Sequence, residues 1–84
     1  MKITVEMRAI FKNPASPLKA VATVVFDDVF VVRNVKVIET ENGAFISMPS
    51  FRGRDEQWHS VCHPITQEFR EKLQEVVLEA YARG

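Results

Sequence analysis

Apolar and polar side chains alternate along the first nine residues of the chain. The apolar members of this set are Ile3, Val5, Met7 and Ala9. A period of two predicts a β-strand with one face in the core and the other in water. A second strand is predicted over Leu18–Phe26, after a segment rich in turn-forming residues. Its apolar face is predicted to hold Leu18, Ala20, Ala22, Val24 and Phe26.

A third strand is predicted to begin at Val29, after a tight turn at Asp27-Asp28. Its apolar positions change from even to odd numbers midway, in the series Phe30, Val32, Val35 and Val37. One face of a regular strand cannot hold all four side chains. The pattern therefore predicts a β-bulge near Arg33-Asn34, where one inserted residue would restore a common face.

The remaining strand signals are shorter. A turn at Glu41-Asn42-Gly43 leads into a fourth strand over Ala44–Met48, since Asn-Gly readily adopts positive φ. Residues 50–57 have the composition of a polar loop that bears arginines. A short fifth strand is predicted over Trp58–Cys62.

The last twenty residues have the pattern of an amphipathic helix. Thr66 is a favourable N-cap, and Glu68 lies in the first turn, where the helix dipole stabilises negative charge. The predicted apolar stripe consists of Phe69, Leu73, Val76, Val77 and Ala80. The fold class is therefore α+β, with a mainly antiparallel sheet of about five strands and a C-terminal helix packed on it.

Length and composition indicate one globular domain over residues 1–84. The chain is 46% hydrophobic and 26% charged, which is ordinary for a folded domain. A chain of this length forms only a thin core, and exposed sheet edges invite pairing, so association with a second copy is expected. The single cysteine, the absence of a signal-peptide pattern and the lack of a long apolar run predict a soluble, cytoplasmic protein.

Catalytic or metal chemistry finds little support in the sequence. His59, Cys62 and His63 are the one cluster of metal-binding residue types, and a structural zinc site needs four convergent ligands. A cysteine nucleophile would also need a base, an orienting group and an oxyanion site. We therefore expect no cofactor, no metal and no enzymatic activity. A thiol enzyme that uses Cys62 is a distant alternative.

Positive charge is local rather than global. Lysines and arginines total 11, as do aspartates and glutamates, which argues against a purely electrostatic grip on nucleic acid. The segment around Phe51, Arg52 and Arg54 can nevertheless bind phosphates through its arginines and stack a base on its phenylalanine. Arg70 and Lys72 could join the same surface. The alternative is a solvated loop in which Phe51 covers the core.

Several segments together resemble the SpoVG (stage V sporulation protein G) family. They are Met1–Thr4, Lys19-Ala20, Val24–Asp28, Phe30–Val32, Val35–Glu39, Asn42–Ser50, His63–Ile65 and Arg70–Lys72. The likeness covers nearly the whole chain in order. Its most specific part is the Asn-Gly, Phe-Ile and Met-Pro-Ser run followed by His-Pro-Ile.

The resemblance implies a small homodimeric bacterial regulator that binds DNA, and RNA in some members, with roles in sporulation and division-septum formation. It implies nucleic-acid contacts at the matching basic positions Arg52, Arg54, Arg70 and Lys72. Phe51 stands where many relatives carry a basic residue. The alternative reading, favoured by the balanced charge, is a protein–protein interaction module in cell division with little or no nucleic-acid binding.

Overall fold

The computed structural model describes all of residues 1–84, which form six strands and one helix. In chain order the elements are β1 (Ile3–Ile10), β2 (Leu18–Phe26), β3 (Phe30–Thr40), β4 (Gly43–Ser47), β5 (Ser50–Arg52), β6 (Trp58–Ser60) and α1 (Gln67–Arg83). Strands β1 to β4 form an antiparallel sheet in sequential order, here called the main sheet. The predicted α+β class is confirmed.

The predicted fifth strand is wrong in its length and in its partner. It ends at Ser60 rather than Cys62 and pairs with β5, a strand inside the segment that was predicted to be a loop. The two strands form a separate antiparallel sheet. Period-two patterning cannot reveal this arrangement, because β5 and β6 have three residues each and every one of them is exposed.

The predicted bulge in the third strand is confirmed. Ala22 pairs with Val35 and Val24 pairs with Val32, so a single β2 residue lies opposite two residues of β3. One of those two is Asn34, whose φ of +63° lies in the left-handed region that asparagine tolerates better than most residues. The inserted residue lets Val32 and Val35 both reach the core.

Two further bulges place residues on the opposite sheet face from the one that simple alternation predicts. Ala9 pairs with Val21, on the sheet face away from α1, because the register shifts between Met7 and Ala9. Leu18 pairs with Ile38, again on that face, because a second shift precedes Ala20. The expectation that Ala9 and Leu18 share the core face is therefore wrong, since each inserted residue reverses the parity of the strand beyond it.

The helix covers one face of the main sheet. The Thr66 side chain accepts a hydrogen bond from the Phe69 N–H at 3.2 Å, which confirms the predicted N-cap. Leu73 and Val77 are buried by the sheet. The core cluster comprises Ala20, Val24, Val32, Val35, Val37, Leu73 and Val77. Since α1 is the one helix and is not both long and apolar, no helix here could cross a membrane.

The predicted apolar stripe of the helix is partly corrected. Phe69 packs on the core as expected, but Leu78 and Tyr81 do so as well. Val76 and Ala80 are half-buried and lie outside the core cluster. The helix is therefore rotated slightly from the orientation that the stripe predicted, toward the side that carries Tyr81.

Replacing Leu73 with Ala is expected to lower the free energy of unfolding by ~2–5 kcal/mol, because the side chain is only 1% exposed and its loss leaves a cavity. Urea denaturation followed by circular dichroism measures the change. Lys72→Ala, at the exposed neighbouring position, is the control and should unfold like the parent protein. Equal stability of both variants would contradict the packing described here.

Candidate nucleic-acid interface

Residues 50–60 form a short hairpin, here called the arginine hairpin, from β5, β6 and the turn between them. Phe51 pairs with His59, and Arg52 pairs with Trp58. Successive strand residues point to opposite faces, so Phe51 and His59 share one face while Arg52 and Trp58 share the other. The backbones of β5 and β6 contact each other and no other strand or helix. The arginine hairpin therefore projects from the rest of the domain.

Phe51 belongs to the hairpin's own packing rather than to the domain core. Its ring lies 5.5 Å from the His59 ring, centroid to centroid, with the planes tilted by 32°. The residue is 52% exposed and is absent from the core cluster. The alternative in which Phe51 covers the core is therefore wrong, and much of its ring remains open to a ligand.

Hydrogen bonds to Asp55 close the turn of the arginine hairpin. The carboxylate accepts the Gln57 N–H at 3.0 Å and lies 3.1 Å from the His59 Nε2, which donates to it when that nitrogen carries a proton. These two bonds, the Gln57 bond first, lower the pKa of Asp55 from its ordinary value. A Cβ at Gly53 would come within 2.8 Å of the Asp55 Oδ1, so a larger residue there would have to displace the carboxylate.

Arg52 and Arg54 are exposed, and neither has a carboxylate within 4.0 Å. Three of the four ion pairs of the molecule lie outside the hairpin, and the fourth joins His59 to Asp55 within it. An unpaired guanidinium keeps its donors available for a phosphate oxygen. Asp55 and Glu56 in the same turn balance the formal charge, so the hairpin offers directed donors rather than a strongly positive field.

A groove of about 650 Å³ separates the arginine hairpin from β4 and the start of α1. Arg70 lines it and donates a long hydrogen bond to the Pro64 carbonyl at 3.4 Å. On the helix side, the Gln74 side chain accepts the Ile46 N–H at 3.3 Å and so ties α1 to the edge of the main sheet. Trp58 lines the opposite wall, and no carboxylate lines the groove anywhere.

The structure separates Lys72 from Arg70. Two residues along an α-helix are about 200° apart around its axis, so their side chains do not share a face. Arg70 lines the groove, whereas Lys72 does not line it and makes no hydrogen bond or ion pair. The expectation that the two residues join one surface is therefore wrong, and only Arg70 faces the hairpin.

Trp58 is the surface residue that sequence reasoning missed. It is 70% exposed, stands directly opposite Arg52 and lines the groove. Its type alone gave a signal, because it is the single tryptophan of the chain and lies in an otherwise polar run. The sequence pattern places it in a fifth strand of the main sheet, and this placement does not indicate the exposure that β6 has.

The side chains of the cysteine and the two histidines lie in different environments and do not converge. His59 bonds Asp55, and the His63 Nδ1 lies 3.0 Å from the Pro64 carbonyl oxygen. Cys62 is half-buried and packs against the core, as expected for a small core residue. No group of three metal-binding side chains converges anywhere in the molecule.

Comparison with known proteins gives a consistent result. The family model SpoVG matches residues 1–83. The chain is 46% identical to the "Putative septation protein SpoVG" of Treponema denticola, over 99% of this chain and 88% of the relative. It is 45% identical to the protein of that name from Lachnospira eligens, over 100% and 94%. It is 43% identical to the protein of that name from Caldanaerobacter subterraneus, over 100% of this chain and 91% of the relative. These relatives are named for septation and not for a catalysed reaction.

The Asp55 carboxyl is expected to titrate below its ordinary pKa in a carbon-detected NMR titration. Because the folded-state pKa is lowered, the carboxylate form stabilises the turn at neutral pH, and this contribution is lost as the pH falls through that pKa. His59→Ala should move the pKa part of the way upward, since the Gln57 N–H still donates. Phe51→Ala, which removes the ring contact alone, is the matched control. An Asp55 pKa that is the same in both variants would refute the role of His59.

Proposed function

The chain belongs to the SpoVG family, and on that basis we propose that it is a non-catalytic, homodimeric regulator that binds nucleic acid with the arginine hairpin and Arg70. The observation that carries the proposal is the pair of unpaired arginines, Arg52 and Arg54, next to a groove without carboxylates. The names of its relatives suggest a role in septation, which we link to division or sporulation. The site of action is the cytoplasm, where a lone thiol such as Cys62 stays reduced.

Phosphate recognition is the task that suits these side chains. A guanidinium presents several donors in a fixed plane that matches the oxygens of a phosphate. Arg52 and Arg54 project from the hairpin, and Arg70 lies across the groove with only one long bond to a backbone carbonyl. In this proposal a strand passes Arg70 in the groove and reaches Arg52 and Arg54 on the hairpin beside it. Phe51, which is half exposed on the hairpin, is an outlying stacking contact. Lys72 does not line the groove and lies outside the proposed surface.

Affinity in this proposal is moderate and weakly dependent on salt. The chain has no net charge, and the hairpin balances its arginines with Asp55 and Glu56. Few phosphates are therefore neutralised per chain, and each one contributes about −0.9 to the salt slope on duplex DNA. Two copies related by a two-fold axis would double the footprint.

A second copy of the chain is part of the proposal. Only 8 of the 84 residues are buried in the single chain, which is a thin core. Val29, Phe30 and Val31 form a consecutive run of exposed apolar residues at the start of β3. Burying such surface against a partner would add stabilisation that the single chain lacks.

An interaction module for a protein partner is the second candidate function. The apolar residues on either side of His63 favour it, since Val61 is 65% and Ile65 is 89% exposed. Exposed apolar side chains on a small domain are typical of contact surfaces. In this reading the relatives' role in septation would depend on recruitment of a division protein, and nucleic acid would bind weakly or not at all.

Replacing both Arg52 and Arg54 with Ala is expected to weaken binding of labelled duplex DNA and single-stranded RNA roughly tenfold or more, because charged hydrogen bonds to phosphate are lost. The salt slope should fall by about two, one for each phosphate contact. Fluorescence anisotropy at low and moderate salt measures both quantities.

The matched control removes two arginines from another surface. Arg8 and Arg33 line a separate groove of the main sheet, where Arg8 is paired with Glu6. Their double Ala variant has the same net charge as the hairpin variant and should bind almost as well as the parent. Equal losses in the two variants would show that only overall charge matters. No binding by the parent protein at low salt would favour the protein-interaction module.

The purified protein is expected to have twice the 9.6 kDa mass of one chain in sedimentation equilibrium, because the proposed dimer buries its exposed apolar run. The measurement needs a range of concentrations, since a weak dimer dissociates on dilution. A single-chain mass at every concentration tested would reject the homodimer.

A further inference from the structure

The groove between the arginine hairpin and α1 has the features of a receptor for an unpaired base. We infer that it takes one nucleobase of a single strand, stacked on Trp58, while the neighbouring arginines hold the backbone phosphates. This inference rests on the proposed nucleic-acid binding and adds to it the form of nucleic acid that the site accepts.

Trp58 is placed for stacking. Its side chain is 70% exposed, although indole is among the largest apolar surfaces that a protein can bury. Its backbone is held by pairing with Arg52 of β5, and the backbone of β6 contacts no other strand or helix. Every base has a flat π-face, so an exposed indole is a general stacking platform.

The surroundings of Trp58 suit the rest of a nucleotide. Arg52 lies directly across the hairpin from it, on the same face, so a phosphate next to the stacked base can reach the guanidinium. Arg70 and the hydroxyls of Ser50 and Ser60 line the groove and offer donors to a base edge or a second phosphate. No carboxylate lines the groove to repel the backbone.

The size of the groove allows an unpaired nucleotide to enter. Its volume of about 650 Å³ lies in the range of small-molecule pockets. A base inside a duplex is paired at its edge and stacked on both faces, so it cannot enter without being flipped out. The geometry therefore favours single-stranded DNA or RNA over a duplex. Both kinds of single strand offer the unpaired base and the backbone phosphates that the groove would bind.

The single tryptophan provides a direct test. Binding of a short oligothymidine or oligouridine is expected to quench Trp58 fluorescence, because a stacked base contacts the indole ring. A matched duplex should bind through phosphates without comparable quenching. An oligonucleotide of the same length made of abasic sites has the same phosphate charge and no bases, so it should bind more weakly and leave the emission unchanged. Tighter binding of oligodeoxyuridine or of oligouridine, which differ only in the sugar, identifies which sugar the site prefers.

Variants separate stacking from folding. Trp58→Ala is expected to weaken single-strand binding, measured by anisotropy, about 5- to 150-fold, the range for loss of one aromatic stacking platform. Its effect on duplex binding should be much smaller. Trp58→Phe keeps a smaller stacking ring and should recover most of the affinity. Circular dichroism checks that both variants fold like the parent, as expected for an exposed residue.

The possible outcomes distinguish this inference from the proposed function. Binding with unchanged Trp58 emission, or equal affinity for the abasic and base-containing strands, would overturn the base receptor and leave the arginine contacts standing. Absence of binding to every probe would overturn both proposals. Quenching by single strands together with the selective loss in Trp58→Ala would establish the groove as the base receptor.

Discussion

The packing of Leu73 and Val77 against the centre of the main sheet is the interaction on which the rest of the structure depends. These two side chains are the only fully buried ones of the helix, and they lie against valines and alanines of β2 and β3. The contact fixes how α1 lies on the sheet, and with it the side of the helix on which Arg70 stands. A bond from Ile46 to Gln74 then holds β4 beside the helix. The two walls of the groove that β4 and α1 form are therefore held in place by a few apolar contacts on the opposite side of the helix.

The core was largely predictable from sequence because burial imposes a period on the chain. The limits of β2, the N-cap at Thr66 and the bulge at Asn34 could all be predicted from apolar spacing and local chemistry. The face on which Ala9 and Leu18 lie could not be predicted, because a bulge next to a small or aliphatic residue does not change the apolar pattern. On a sheet face that accepts both polar and apolar residues, burial does not determine the register. The register there depends on pairing energies between strands, which cannot be read from the sequence of one strand.

The arginine hairpin was harder to predict, for a different reason. Its residues are mostly exposed, so no burial pattern marks them. Its shape comes from contacts among neighbours: the Phe51 ring lies on His59, and the Asp55 carboxylate bonds Gln57 and lies close to Gly53. The residue types of the site could be named from sequence and from family resemblance. The placement of Arg70 beside Trp58, and the separation of Lys72 from both, required the three-dimensional fold.

The isolation of the hairpin has an evolutionary consequence. Because β5 and β6 contact no other element, a substitution there changes the surface offered to a ligand with little effect on the stability of the core. Selection can therefore act on the exposed surface of the hairpin and on folding almost independently. A change in the hairpin would then leave the main sheet and helix folded, so one fold could carry different exposed surfaces.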